Sequence, residues 1–170
     1  MAEGNQKYCD VDGVVFDKEM TTLLSYPPGK TATSYSVPDG IKTVESNAFS
    51  SARFSTVDLN GVETLKDAAF NTCANLTSIT IPSNMSNIPE GAIAACSQLT
   101  NYYVAEGNET YKDIDGVLYS ADGKTLIIYP MGRNDATYVI DEGATAIAGK
   151  AFASAKIKEI EIPKAISDIG

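Results

Sequence analysis

Histidine is absent from these 170 residues, and so is tryptophan. Without imidazole there is no Ser-His-Asp triad, no histidine ligand for zinc, and no side chain that ordinarily titrates near neutral pH. Cysteine is scarce. Cys9, Cys73 and Cys96 make an odd count, which does not read as a disulfide framework at this length. Positive charge is outnumbered, 13 basic residues against 22 acidic, and no basic cluster stands out. The net charge of −9 makes nucleic acid and anionic membrane surfaces poor partners. No apolar run is long enough to span a bilayer, so no membrane insertion is expected.

What the chain has is a core and a rhythm. Hydrophobic residues make up 44% of it, enough to build a packed interior. The length suits one domain. The rhythm has two scales. Ala69-Phe70, Cys73, Leu76, Ile79 and Ile81 are followed 23 residues later by Ala92-Ile93, Cys96, Leu99, Tyr102 and Val104. Tyr8 to Leu59 aligns without a gap on Tyr111 to Ile162, an offset of 103 residues. A period in the twenties is the mark of a solenoid, in which each unit buries its apolar face only against the next.

Leu76, Ile79 and Ile81 follow an L-x-x-L-x-L spacing whose last three positions alternate like a strand with one buried face. Pro82 lacks an N–H and ends that strand. Met85, Ile88 and Gly91-Ala92-Ile93 follow at a spacing of three, which suits an irregular or 3₁₀ return path better than a long helix. The same frame fits Phe54/Val57/Leu59, Leu99/Tyr102/Val104 and Ile157/Ile160/Ile162, with Val37 and Ile140 marking two further strand ends. Along Val37, Leu59, Ile81, Val104, Ile140 and Ile162 the steps are 22, 22, 23, 36 and 22 residues. The long step holds Asp115 to Pro130, a β-hairpin pattern with a counterpart at Asp12 to Pro27.

The expected fold is therefore a mainly β, right-handed leucine-rich-repeat-like solenoid. It has one short parallel strand per turn, irregular or 3₁₀ return segments, and inserted hairpins. Residues 5–34 form an N-terminal hairpin segment, 35–104 repeat turns, 105–136 an inserted hairpin, and 137–170 further turns, all in one domain. The pattern stops mid-repeat at Gly170. That is expected of a fragment, or of an end that associates with another copy through its uncapped turn.

The frame Ile-Pro-x₅-Ile-x₃-Ala-Phe-x₂-Cys-x₂-Leu-x₂-Ile-x-Ile-Pro resembles the BspA-like class of bacterial leucine-rich repeats. The segment Asp115 to Pro130 also looks like the hairpin these proteins insert. The departures are small: Ala52 and Ala155 stand where Cys73 stands, and Ile93 replaces the Phe. The resemblance implies a bacterial cell-surface or secreted protein that acts in adhesion, with no catalytic residues to carry over.

Two readings of Cys73 and Cys96 stay open: a disulfide or two-thiolate metal site, or a ladder of small buried residues. Ala52 and Ala155 in the same slot favour the ladder. Asp10-x-Asp12-Gly13 and Asp113-x-Asp115-Gly116 suggest calcium at first sight. The twelfth loop positions are Thr21 and Lys124 rather than Glu, so these acids read as turn formers. No metal, cofactor or catalytic residue is expected.

Between the inward positions of each strand lie outward ones. The candidate binding face, taken as the concave sheet face, comprises Asp58, Thr80, Asn101, Tyr103, Glu159 and Glu161. The resemblance implies that its partner is a protein, such as a host matrix or cell-surface protein, or a glycan. The expected function is a non-catalytic adhesion module. A structural spacer in a larger surface protein is the alternative, and a glycan-acting enzyme a more distant one.

Overall fold

The computed structural model describes residues 5–170, and among these there is no helix. The chain opens with a meander of three antiparallel strands, β1 (Tyr8–Val11), β2 (Val14–Asp17) and β3 (Thr22–Ser25). Repeat turns follow with β4 (Ser34–Ser36), β5 (Thr43–Val44), β6 (Thr56–Asp58), β7 (Thr64–Leu65), β8 (Ser78–Ile81) and β9 (Asn101–Val104). A second meander holds β10 (Tyr111–Ile114), β11 (Val117–Ser120) and β12 (Thr125–Ile128). The last turns contribute β13 (Thr137–Val139), β14 (Ala146–Ile147), β15 (Glu159–Glu161) and β16 (Asp168–Ile169).

The expected ladder is present. β4, β6, β8 and β9 pair in parallel in that order, and β13 pairs with β15. The inward positions are buried as the alternation requires: Phe54, Val57, Leu59, Leu76, Ile79, Ile81, Leu99 and Tyr102. The return path is irregular and carries a feature beyond the expected strand. A second parallel ladder runs β3–β5–β7, with a further bridge from Thr64 to Asn87, and recurs as β12–β14–β16. Its rungs are two residues long, too short for alternation to announce them.

The third side of each turn is the Ala-Phe corner. Here Tyr26 N–H donates to Ala48 O (2.7 Å), Phe49 N–H to Ala69 O (2.9 Å) and Phe70 N–H to Ala92 O (2.8 Å). Residues flanking the corners adopt left-handed backbone in register: Asn47, Ala68 and Lys150 before them, Ser51, Thr72, Ala95 and Ser154 after them. Single non-glycine residues carry some strain there, and the stacked hydrogen bonds hold them in it.

Each hairpin is also longer by one strand than the sequence pattern indicates. β1 and β10 are joined to β2 and β11 through Asp12-Gly13 and Asp115-Gly116. All four of these turn residues have positive φ (50°, 77°, 50° and 76°), the geometry of a type I′ turn. Of the acids read as turn formers, Asp12 and Asp115 are in those turns, whereas Asp10 and Asp113 lie on β1 and β10.

The second meander is a partition. Leu118 packs into a core with Phe49, Phe70, Ile79 and Tyr102, while Val117 and Tyr119 pack into a second with Tyr129, Tyr138 and Ile140. β11 is thus covered on both faces, whereas Val15 at the matching position of β2 is only half-buried. Ile160, on the outer strand of the β13–β15 pair, and Ile162 just after it are exposed.

Candidate functional site

Strand register decides which outward residues share a surface. Ser36, Asp58, Thr80 and Tyr103 are paired rung to rung, as are Ser34, Thr56, Ser78 and Asn101. Parallel neighbours lie roughly 4.8 Å apart, so each set is a continuous row of side chains. Asp58 and Tyr103 are exposed and Thr80 half-exposed. Asp58 Oδ1 accepts from the Asn60 N–H (2.8 Å), which fixes the carboxylate at the strand end. Thr80 and Tyr103 have no side-chain hydrogen bond among the described residues.

The flanking hydroxyls are spent on the stack. Ser55 Oγ donates to Thr33 O (2.9 Å), Thr77 Oγ1 to Ser55 O (2.9 Å) and Thr100 Oγ1 to Thr77 O (3.2 Å). These three clamp one turn to the previous one, so their hydroxyl protons are committed within the fold.

Asn101 stands at the edge of the face rather than in its middle. The Asp115-Gly116 turn sits against it: Tyr102 N–H donates to Gly116 O (2.9 Å), and a Cβ at Gly116 would lie 2.6 Å from Asn101 Nδ2. Val104 N–H donates to Asp113 Oδ1 (2.8 Å), locking β9 to the meander. The partition therefore occupies the place of the next rung. Glu159 and Glu161 lie on β15, in the separate two-stranded sheet with β13. There Thr137 Oγ1 donates to Glu159 Oε2 (3.2 Å), and Glu161 pairs in register with the exposed Val139. The six sequence candidates thus divide into Asp58, Thr80 and Tyr103 in one row, Asn101 beside it, and Glu159 and Glu161 on another sheet.

Two recesses open elsewhere on the surface, the smaller meeting the first row at Ser36. The larger, about 530 Å³, is a seam between the last turn before the partition and the turns after it, bounded by Ile93, Ile128 and Met131. In the regular stack Ile93 N–H would meet the next corner, as Phe49 and Phe70 do; here it has no acceptor among the described residues. Glu90 is the one carboxylate on the seam, and it pairs with Lys150 at 3.3 Å. The smaller, 340 Å³, lies beside β4, lined by Tyr26, Lys30, Ala32 and Tyr35 among others. Burial, with the Tyr26 and Asp12 charges beside it, pushes the Tyr35 phenol up to about 12.

The cysteines make a ladder. Cys73 Sγ donates to Phe49 O (3.0 Å) and Cys96 Sγ to Phe70 O (3.1 Å); both are free thiols and fully buried. Contact with the Cys96 sulfur, together with burial, pushes the Cys73 thiol up. Among the described residues no three of Cys, Asp and Glu converge on a point that could hold a metal ion.

The repeat geometry has a family counterpart. The BspA type leucine rich repeat region matches residues 7–115 and 134–170 in six copies. The chain belongs to this family of bacterial leucine-rich repeats. Between the two matched parts, residues 116–133 hold β11, β12 and the loop after them. Solved structures share the fold. A leucine-rich repeat protein from Eubacterium ventriosum is similar at TM-score 0.66 and 16% identity, over 88% of this chain and 50% of that one. The pneumococcal vaccine antigen PcpA is similar at TM-score 0.60 and 20% identity, over 98% of this chain and 56% of that one. A leucine rich cell surface protein from Faecalibacterium prausnitzii is similar at TM-score 0.60 and 29% identity, over 80% of this chain and 40% of that one. The present chain spans about half the length of these proteins or less. No curated protein matches the sequence.

Proposed function

We propose that this BspA-type chain is a non-catalytic binding module of a bacterial surface or secreted protein. It engages a protein or glycan through the Ser36–Asp58–Thr80–Tyr103 row. The observation that carries this reading is the row itself. Four side chains with hydrogen-bonding capacity stand in strict register on a four-stranded parallel sheet, and an exposed tyrosine ends it. Tyrosine offers flat contact area with one polar end, and Ser and Thr offer adaptable hydrogen bonds. Solenoids use such extended faces for recognition. The surface location is supported by the cell-surface protein among the structural neighbours.

The division of the sheets adds a point. Asp58 and Glu161 are equivalent by the 103-residue offset, so each unit presents one acid at the same rung position. Two separate patches suit a partner that is itself repetitive.

The test is a protein and glycan array followed by alanine substitution at Asp58, Thr80, Tyr103 and Glu161. Tyr103→Ala is expected to weaken a confirmed ligand at least tenfold while leaving the unfolding midpoint within error. A ligand that binds all four variants unchanged shows that the sheet face is not the site. A chain that holds its parent protein's other parts apart, and binds nothing on the arrays, is a spacer instead.

A further inference from the structure

The two units differ at a part-buried polar contact, besides the Tyr119–Tyr138 hydroxyl pair, for which Phe16 leaves no counterpart in the first. In the second, Tyr129 Oη donates to Asp135 Oδ2 (2.6 Å), and Arg133 Nε donates to the same oxygen (2.8 Å). Arg133 also donates through Nη1 to Asp115 O (2.6 Å) and lies 5.6 Å from the Tyr129 ring centre. Every part of this arrangement but one recurs 103 residues earlier. Tyr26 replaces Tyr129, and Lys30 replaces Arg133. Lys30 Nζ donates to Asp12 O (2.6 Å) and lies 6.0 Å from the Tyr26 ring centre. The carboxylate alone is missing, because residue 32 is alanine where residue 135 is aspartate.

The consequence is visible at Tyr26. The residue is 1% exposed, and its hydroxyl is the one buried side-chain polar atom without a hydrogen-bond partner among the described residues. It lines the 340 Å³ recess together with Lys30, Ala32 and Tyr35. A buried hydroxyl with no partner is costly, and structures seldom leave one.

We propose that this recess is a carboxylate-binding site, in which a ligand's carboxylate takes the place that Asp135 fills in the second unit. One oxygen accepts from Tyr26 Oη, and Lys30 supplies the cation. Asp12 also borders the recess, and the second unit shows that this is tolerated. Its counterpart Asp115 lies 3.4 Å from the Arg133 guanidinium, which thus serves two carboxylates at once. The volume exceeds one carboxylate, so the group arrives on a larger body. A free small carboxylic acid and an aspartate or glutamate side chain share this chemistry. Ser36 borders both the recess and the proposed binding row, so an acidic side chain of a docked protein reaches it directly. The site stands whether or not the row binds.

The experiment is a titration of the whole chain with sodium acetate and, separately, with a blocked tripeptide containing one aspartate. Sodium chloride at equal ionic strength is the control. The readout is the ring resonances of residues 26 and 35, both of which line the recess. We expect a saturable shift at Tyr26 that Ala32→Asp abolishes, since the new side chain fills the site as Asp135 does. Tyr26→Phe keeps the ring and removes the donor, and is expected to weaken binding at least tenfold, as for hydrogen bonds to charged groups. It remains informative should Ala32→Asp fail to fold. Tighter binding of the peptide than of acetate assigns the site to an acidic side chain; equal binding assigns it to small acids. A shift that does not saturate, or that persists at full strength in either variant, overturns the proposal. Tyr103→Ala leaves this titration unchanged, which separates it from the fate of the sheet-face reading.

Discussion

Replacing Phe49 and Phe152 with alanine, one at a time, asks the stacked core a sharp question. The two residues occupy the same repeat position, 103 residues apart, and both follow an alanine at the corner of a turn. Phe49 is fully buried. Its ring stacks on Phe70 at 4.8 Å and meets Phe54 at 5.5 Å, Tyr26 at 5.8 Å and Tyr35 at 5.9 Å. Phe152 is half-buried, with Tyr129 at 5.3 Å and Tyr138 at 6.2 Å. Truncating a fully buried phenylalanine costs about 3–5 kcal/mol, transfer and cavity together. The half-buried copy loses roughly half the contact, so about 2 kcal/mol is expected. Against a total stability of about 5–15 kcal/mol, the first change is severe and the second modest. In urea, with a slope of about 2 kcal/mol per molar, the midpoints should fall by about 2 M and about 1 M. Circular dichroism and tyrosine fluorescence must give coincident curves for that arithmetic to hold, because repeat arrays can unfold in parts. Equal losses from the two substitutions would refute the reasoning. They would mean that chemistry at the corner, rather than coverage by neighbouring turns, sets its stability.

Two further outcomes follow from local geometry and charge. Gly132→Ala should destabilise by several kcal/mol, because its Cβ would lie 2.5 Å from Leu99 N and run into the Gln98 backbone, which cannot move aside. Gly29→Ala, at the matching position with nothing within 4 Å, should be near neutral, and thermal melts compare the pair. Stability should be nearly flat between about pH 5 and 8, since no histidine is present. It should then fall in acid. Burial raises the Asp17 carboxyl, but hydrogen bonds from Thr21 and Thr22 outweigh this and hold it below its usual range. Asp122 is held low by Ser120 and Lys124. A depressed folded pKa contributes fully above the unfolded value of about 4 and is lost as pH falls through the folded value. Melts of Asp17→Asn and Asp122→Asn should show a shallower acid slope; an unchanged slope in both places the acid sensitivity elsewhere.

The hairpins show how far the pattern was legible. β2 and β3 carry apolar residues bounded by turn signals, so they announce themselves. β1 does not: Tyr8 and Val11 are exposed, and no residue of the strand is buried. A strand without a buried face leaves no alternation to read. The signal that could have found it is the Asp12-Gly13 dipeptide, which favours a two-residue hairpin turn. The thiols were legible for a different reason. Alanine in the same slot of other turns already pointed to packing, and burial of both sulfurs agrees with it.

The candidate face was legible residue by residue but not as a surface. Alternation told which of Asp58, Thr80, Tyr103, Glu159 and Glu161 point away from the core, because period-two geometry is local. It could not tell that the Asp115-Gly116 turn takes the rung after β9 and divides the sheet. That depends on where a distant segment docks.

By itself, the sequence determined the period, the buried ladder, the two-unit plan and the membership of the BspA-type family. Each rests on spacing that any single turn repeats. The tertiary structure alone decided the partition of the core and the split of the outward face. It also decided the unpaired hydroxyl of Tyr26. The exchange of Asp135 for Ala32 is plain in the alignment of the two units, yet looks trivial there. It acquires meaning only because folding buries the tyrosine that the missing carboxylate would have satisfied.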